Sequence, residues 1–269
     1  MTVERIDRTF AALRQAKKTA LVVYLTVGEP SLADTVACAR AALDAGADLL
    51  ELGVPFSDPT ADGPVIAAAS YRAIRQGGSL KTALGCAREI RSASDAPLVI
   101  FTYYNPIVAF GEATLPGAVA EAGADALLIV DLPPDEGSAV RRAADEAGIA
   151  IVPLVAPTTG REREPAIFER AKGFVYYVSV TGVTGTKSAP LAEAGREAAG
   201  LRSRAGLPVV VGFGVRTPDD ARALSASGVD GIVVGTEVVR VIGEATDTPA
   251  RALAVRELVS GLRRGLDSA

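Results

Sequence analysis

Apolar residues in this chain come in short continuous runs and not in alternation. Eight runs recur: ALVVYLT (20–26), DLLEL (48–52), PLVIFTYY (97–104), DALLIV (125–130), IAIVPLV (149–155), GFVYYVS (173–179), LPVVVGFG (207–214) and DGIVVG (230–235). Continuous runs of this length, rich in Val, Ile and Leu, fit parallel strands covered on both faces. Between them lie amphipathic helical segments, and five close on a small residue and glycine: DAG at 44, EAG at 121 and 146, RAG at 204 and ASG at 226. Glycine just past a helix end takes the positive φ of a C-cap cheaply, and a few residues later the chain re-enters a strand.

Strand and helix alternate over the whole chain with no linker or break in composition. The reading is α/β: a single (β/α)8 TIM barrel spanning residues 1–269, with an extra N-terminal helix in the amphipathic MTVERIDRTFAALRQAKKTA. An open doubly wound sheet is the alternative, but a Gly-rich dinucleotide loop is missing after the first strand. The N-terminal segment lacks the apolar core of a signal peptide, and no run approaches the ~20 residues that span a bilayer. Cys38 and Cys86 fall within Ala-rich helical patterns and read as free, buried thiols. The expected location is the cytoplasm.

In such a barrel the site lies at the C-terminal ends of the strands. There the chain carries TVGEP, ELGVPFSDPTADGP, TYYNP, VDLPPDE, VAPTTG, SVTGVTGTK, GFGVRTP and VGTEV. Glu51 ends the second strand among Leu49, Leu50 and Leu52, where desolvation should raise its pKa into a useful range for proton transfer. It could equally be a structural acid that accepts N–H bonds from a neighbouring loop. Asp62 has the same two readings, since it stands near the N-cap of the helix that Pro64 opens. Asp58 is most simply a turn residue. Glycines 182, 185, 212, 214 and 235 gather after the last three strands, and GTEVV reads as a helix start. Together they suggest a phosphate cup built mainly from backbone, with Lys187 and Arg216 the only cations nearby. Only one of each pair Tyr103/Tyr104 and Tyr176/Tyr177 can face the barrel interior.

Composition narrows the chemistry. The chain has no histidine, which excludes Ser-His-Asp and Cys-His nucleophile systems and any His-built metal site. Acid–base work falls to carboxylates, tyrosines or lysines. The five lysines at 17, 18, 81, 172 and 187 all lie outside the strand runs, so a Schiff-base lysine inside the barrel is not expected. A net charge of −4 without a basic stripe gives no nucleic-acid surface.

ELGVPFSDPTADGP, followed in order by TYYNPI, DLPPDE, LVAPTT, GFVYYVSVTGVTG, VGFGV and GIVVGT, resembles the tryptophan synthase α-subunit family from about residue 20 to 243. The resemblance implies retro-aldol cleavage of indole-3-glycerol phosphate to indole and glyceraldehyde 3-phosphate, with no metal or cofactor in this chain. It implies Glu51 and Asp62 as the catalytic pair, with Glu51 shuttling protons and Asp62 stabilising the protonated indole. Substrate binding would fall to Tyr176, Tyr103, Thr184, Gly185, Phe213, Gly214, Gly235 and Thr236. Thr184 would also help to position the catalytic Asp loop. The implied partner is a pyridoxal-phosphate β subunit in an α2β2 heterotetramer, with the loop around Asp58 and the TGVTGTK loop near the interface. A stand-alone lyase releasing free indole, and a catalytically weak activating barrel, are the alternatives. Glu29 stands where the family usually has Asp, which bears on any bond to Thr184, and Thr60 replaces a more common apolar residue.

Overall fold

The computed structural model describes residues 3–178, 191–212 and 214–269. The chain begins with α1 (Val3–Gln15), then β1 (Ala20–Thr26), α2 (Leu32–Asp44), β2 (Leu49–Gly53), α3 (Pro64–Arg75) and α4 (Leu80–Arg91). Next come β3 (Leu98–Thr102), α5 (Tyr104–Phe110), α6 (Leu115–Glu121), β4 (Ala126–Ile129), α7 (Ser138–Ala147), β5 (Ala150–Val152) and β6 (Leu154–Val155). The last third holds α8 (Glu164–Phe168), β7 (Val175–Val178), α9 (Leu191–Ala205), β8 (Val209–Gly212), α10 (Pro218–Ala226), β9 (Gly231–Val234), α11 (Thr236–Glu244) and α12 (Thr248–Asp267).

Every strand pairing is parallel, and the sheet runs β5-β4-β3-β2-β1-β9-β8-β7-β6. Its two ends, β5 and β6, are consecutive in the chain, so the sheet curls into a nearly closed barrel. The eight runs of the sequence become nine described strands because Pro153 splits the fifth. Proline has no N–H to give a ladder, so pairing with β4 stops before it and pairing with β7 starts after it.

Alternation along each strand sorts the side chains into two cores. Val22, Leu49, Val99, Leu128, Val152, Val210 and Val233 fill the barrel, while Leu21, Leu50, Leu98, Leu127, Val211 and Ile232 pack outward under the helices. The expected N-terminal helix is α1, and it plugs the barrel floor. Its Ile6, Phe10 and Leu13 join the inner core, with the Phe10 ring 5.7 Å from that of Phe174 just before β7. Cys38 and Cys86 are free and buried, and burial pushes their thiols up to about 12 and about 11.

The recurrent phrase has a further purpose. The aspartates two residues after three of its glycines, Gly46, Gly123 and Gly228, reach across the floor to the neighbouring strand. Asp48 accepts from Leu21 N (2.8 Å), Asp125 from Leu98 N (2.8 Å) and Asp230 from Val209 N (2.9 Å). Each is also held by arginine: Asp48 by Arg263, Asp125 by Arg5 and Arg91, Asp230 by Arg202. Asp125 is fully buried, so its loss leaves a strand-end N–H unpaired and breaks two ion pairs, although Arg5 keeps Asp95 at 2.7 Å. Asp125→Ala is expected to cost about 3 kcal/mol in urea unfolding, from the two broken ion pairs and the unsatisfied N–H.

Candidate active site

The site begins where β2 ends. Glu51 sits in register between Tyr24 on β1 and Val99 on β3, and all three side chains point into the barrel. Glu51 is 0% exposed, and neither of its carboxyl oxygens has a hydrogen-bond partner among the described residues. No described loop N–H anchors it in the way the structural alternative requires. Burial alone pushes its pKa up to about 8.

Asp62 arrives on the loop above. Thr60 N bonds Asp58 O (2.8 Å) and Asp62 N bonds Pro59 O (3.0 Å), which folds residues 58–62 into a tight turn with Asp58 exposed. Capping does not explain Asp62. The N-cap of α3 is Gly63, in extended conformation, with Pro64 as the first helical residue. Burial pushes the Asp62 carboxyl up to about 6, opposed by a hydrogen bond from the Tyr103 hydroxyl. That hydroxyl also accepts from Ala61 N (3.0 Å), and the Tyr103 ring lies 5.0 Å from Phe56. One phenol thus ties the turn to the end of β3.

Of the paired tyrosines, Tyr176 faces inward, while Tyr177 faces out and donates to Glu197 Oε2 (2.8 Å). Tyr176 is held far above its ordinary pKa by burial, then by the charges of Glu51, Tyr24 and Asp62. Tyr24 belongs to the same group, although the sequence reading passed over it. Its phenol is likewise pushed far up, by burial first and then by Asp62. Its ring meets Phe101 edge-on at 5.3 Å. The two tyrosines are seated alike. Tyr24 lies two residues before Thr26, which pairs with Gly53; Tyr176 lies two before Val178, which pairs with Gly212. A Cβ on Gly53 would stand 2.1 Å from the Tyr24 oxygen, and one on Gly212 would stand 2.3 Å from that of Tyr176. These glycines make room for the phenols.

The glycine-rich rim is partly described. Gly214 is exposed, with nothing within 4 Å of a Cβ built on it. Gly235 is the N-cap of α11 and Thr236 its first residue, and no side chain caps that end. The N–H groups of its first turn therefore face outward without an intrahelical acceptor. Glu237, the acid of that turn, is bound by Arg240. Thr184, Gly185 and Phe213, along with Gly182 and Lys187, lie outside the described residues. Arg216 is exposed and has no carboxylate partner among the described residues. Glu29 is buried and takes a bond from Arg72 Nε (2.6 Å) on Oε1, and Oε2 has no partner among the described residues. Among the described residues no three Cys, Asp or Glu side chains form a metal-ligand group.

The arrangement offers two carboxyls of differing proton affinity, three protonated phenols and an uncapped helix end. Comparison with known proteins agrees in kind. Residues 10–265 match the family model described as tryptophan synthase alpha chain. The tryptophan synthase alpha chain of Geobacter sulfurreducens is 41% identical over 264 residues, covering 98% of this chain and 99% of that one. Its Caulobacter vibrioides counterpart is 45% identical, over 89% of this chain and 87% of that one. In structure, the alpha subunit from Legionella pneumophila superposes with a TM-score of 0.91 at 34% identity, covering 98% of this chain and 99% of that one. A chain of tryptophan synthase from M. tuberculosis gives 0.87 at 33%, covering 97% and 98%. The chain belongs to the tryptophan synthase alpha chain family, lyases that cleave indole-3-glycerol phosphate to indole and glyceraldehyde 3-phosphate.

Proposed function

We propose that Glu51 and Asp62 divide the proton chemistry of this cleavage. The observation that carries the proposal is their contrast in setting: Glu51 is fully buried without a described partner, which pushes it up to about 8, while Asp62 takes a hydrogen bond from Tyr103 and rises only to about 6. At pH 7 the first then holds its proton and the second has lost its own. Glu51 gives its proton to indole C3, which makes the ring a leaving group. The positive charge that develops at the indole nitrogen is met by the Asp62 carboxylate, which accepts the ring N–H. The C–C bond breaks, its electron pair returns to the ring, and the glycerol hydroxyl on the departing carbon becomes the aldehyde. That hydroxyl gives its proton to the Glu51 carboxylate, which ends the cycle as it began.

Tyr103, Tyr176 and Tyr24 would bound the indole and keep water away from Glu51. Gly214, Gly235 and Thr236 would bind the phosphate with backbone N–H groups at the start of α11, joined by Gly185 and Phe213. Thr184 would help to hold the Asp62 turn. Tyr103→Phe removes the hydroxyl that bonds both Asp62 and Ala61 N. It is expected to lower kcat about tenfold, and to raise the pKa of the acid limb in the pH profile, since that bond lowers the Asp62 pKa. A rate profile of the variant against pH reads both effects.

The whole of 1–269 would act as one barrel domain, in the cytoplasm and within an α2β2 complex. No described helix is long and apolar enough to cross a membrane. The β subunit would carry pyridoxal phosphate and receive the indole, and the exposed turn at Asp58 would lie near it. Kinship with a chain of M. tuberculosis tryptophan synthase supports this reading. Indole release by the purified protein, with and without a β subunit, tests it. Slow release that the β subunit strongly accelerates is expected. Equally fast release by the protein alone would identify a stand-alone lyase.

A further inference from the structure

A second cavity, of about 330 Å³, opens beside β5 and β6, and neither Glu51 nor Asp62 lines it. Its origin is the shortness of α8, five residues against ten in α7 and fifteen in α9. So short a helix cannot cover the sheet beside β5. Leu132, Ile151 and Ile167, which belong to the outer core, are left only partly buried and line the opening.

Around these apolar walls stand three arginines, Arg141 from α7 and Arg163 and Arg170 on either side of α8. Arginines elsewhere near the core are committed: Arg5, Arg91, Arg204 and Arg263 each hold a carboxylate. None of the three at this cavity has a carboxylate within salt-bridge distance among the described residues. Arg141 spends Nε on Glu136 O (2.9 Å) and Nη2 on Pro133 O (3.1 Å), bonds that orient its guanidinium without neutralising it. Burial lowers its pKa, and the charge of Arg170 lowers it further, against Tyr104 and Asp135, which raise it. Asp131 is the one carboxylate in the wall, and its Oδ1 is taken by Tyr104 N (2.7 Å).

We propose that this cavity is a second ligand site, which takes a small carboxylate with a flat or branched apolar body. The volume falls in the range of small-molecule pockets and is too confined for a folded partner. A guanidinium fork matches a carboxylate, and the apolar walls would gain nothing from a bare oxyanion. Arg163 and Arg170 are exposed to water, but a neutral hydrophobe would leave the half-buried Arg141 guanidinium without a carboxylate. The site also backs onto the catalytic region, since Tyr104, held by Asp131, directly follows the Tyr103 that ties down the Asp62 turn.

The test is ligand-observed fluorine NMR on the full chain with 4-(trifluoromethyl)benzoate, its neutral amide and inorganic phosphate as competitor. The carboxylate is expected to bind at least tenfold more tightly than the amide, and phosphate is expected not to displace it. The double variant Arg141→Met/Arg170→Met should weaken binding at least tenfold while leaving indole release within twofold, which shows that the barrel is intact. Arg163→Met alone should weaken it by a smaller factor. Equal binding of the amide, displacement by phosphate at similar concentration, or undiminished binding to the double variant would each overturn the proposal.

Discussion

Glu51→Gln is expected to release indole at least about a thousandfold more slowly than the parent chain, while folding to the same barrel. Glutamine keeps the shape of a protonated glutamic acid but cannot give a proton to C3 or take one from the glycerol hydroxyl. General acid–base catalysis contributes about 10²–10⁴ in rate, and here one group serves both transfers. The same variant has a stability signature. A carboxyl whose pKa rises from 4.5 to about 8 on folding contributes its full stability below pH 4.5. That contribution is lost as pH rises through the window from 4.5 to about 8, because the unfolded chain ionises first. Glutamine does not titrate. The Tm of Glu51→Gln relative to the parent should therefore climb across that window and level off above it. Thermal unfolding at pH 5, 7 and 9 would show the trend. A constant difference would mean that Glu51 ionises normally inside the barrel.

Asp62→Asn is expected to cost nearly as much, about 10³ in kcat, or about 4 kcal/mol at the transition state. Asparagine fits the turn and can still meet the Tyr103 hydroxyl, yet it has no charge to offer the indole nitrogen at the moment the ring becomes cationic. The pH profile separates the two carboxyls. Activity in the parent needs Asp62 ionised, so it should fall below about pH 6, and it needs Glu51 protonated, so it should fall above about pH 8. A phosphate ester also titrates near 6. If the acid limb belongs to Asp62, the residual activity of Asp62→Asn should lose it while the alkaline limb persists. An acid limb unchanged in the variant would assign it to the substrate.

How far the sequence carried depended on what each feature needs. The parallel barrel and its working face were legible because continuous apolar runs and C-terminal polar clusters are local patterns. Pro153 was visible, but a broken strand still reads as one run until its two partners, β4 and β7, are known. Tyr24 was passed over because a single tyrosine in an aliphatic strand looks like core. Only its register opposite Glu51 places it in the site. Asp62 could have been a helix cap, and the choice turned on whether Gly63 or Asp62 took the capping conformation. The aspartates that open the runs at 48, 125 and 230 carried no local sign of their role, because the N–H groups they hold belong to strands 21 to 27 residues away. The arginine-framed cavity left no trace, since it follows from α8 being too short to cover β5.

The most direct test is the protonation state of Glu51 itself. Infrared difference spectra of the ligand-free protein, parent minus Glu51→Gln, would follow the carbonyl stretch of its buried carboxylic acid against pH. The account predicts a band present at pH 7 that bleaches with a midpoint near 8. A carboxyl already ionised at pH 6 would contradict it, leaving Glu51 with no proton to deliver to the indole ring.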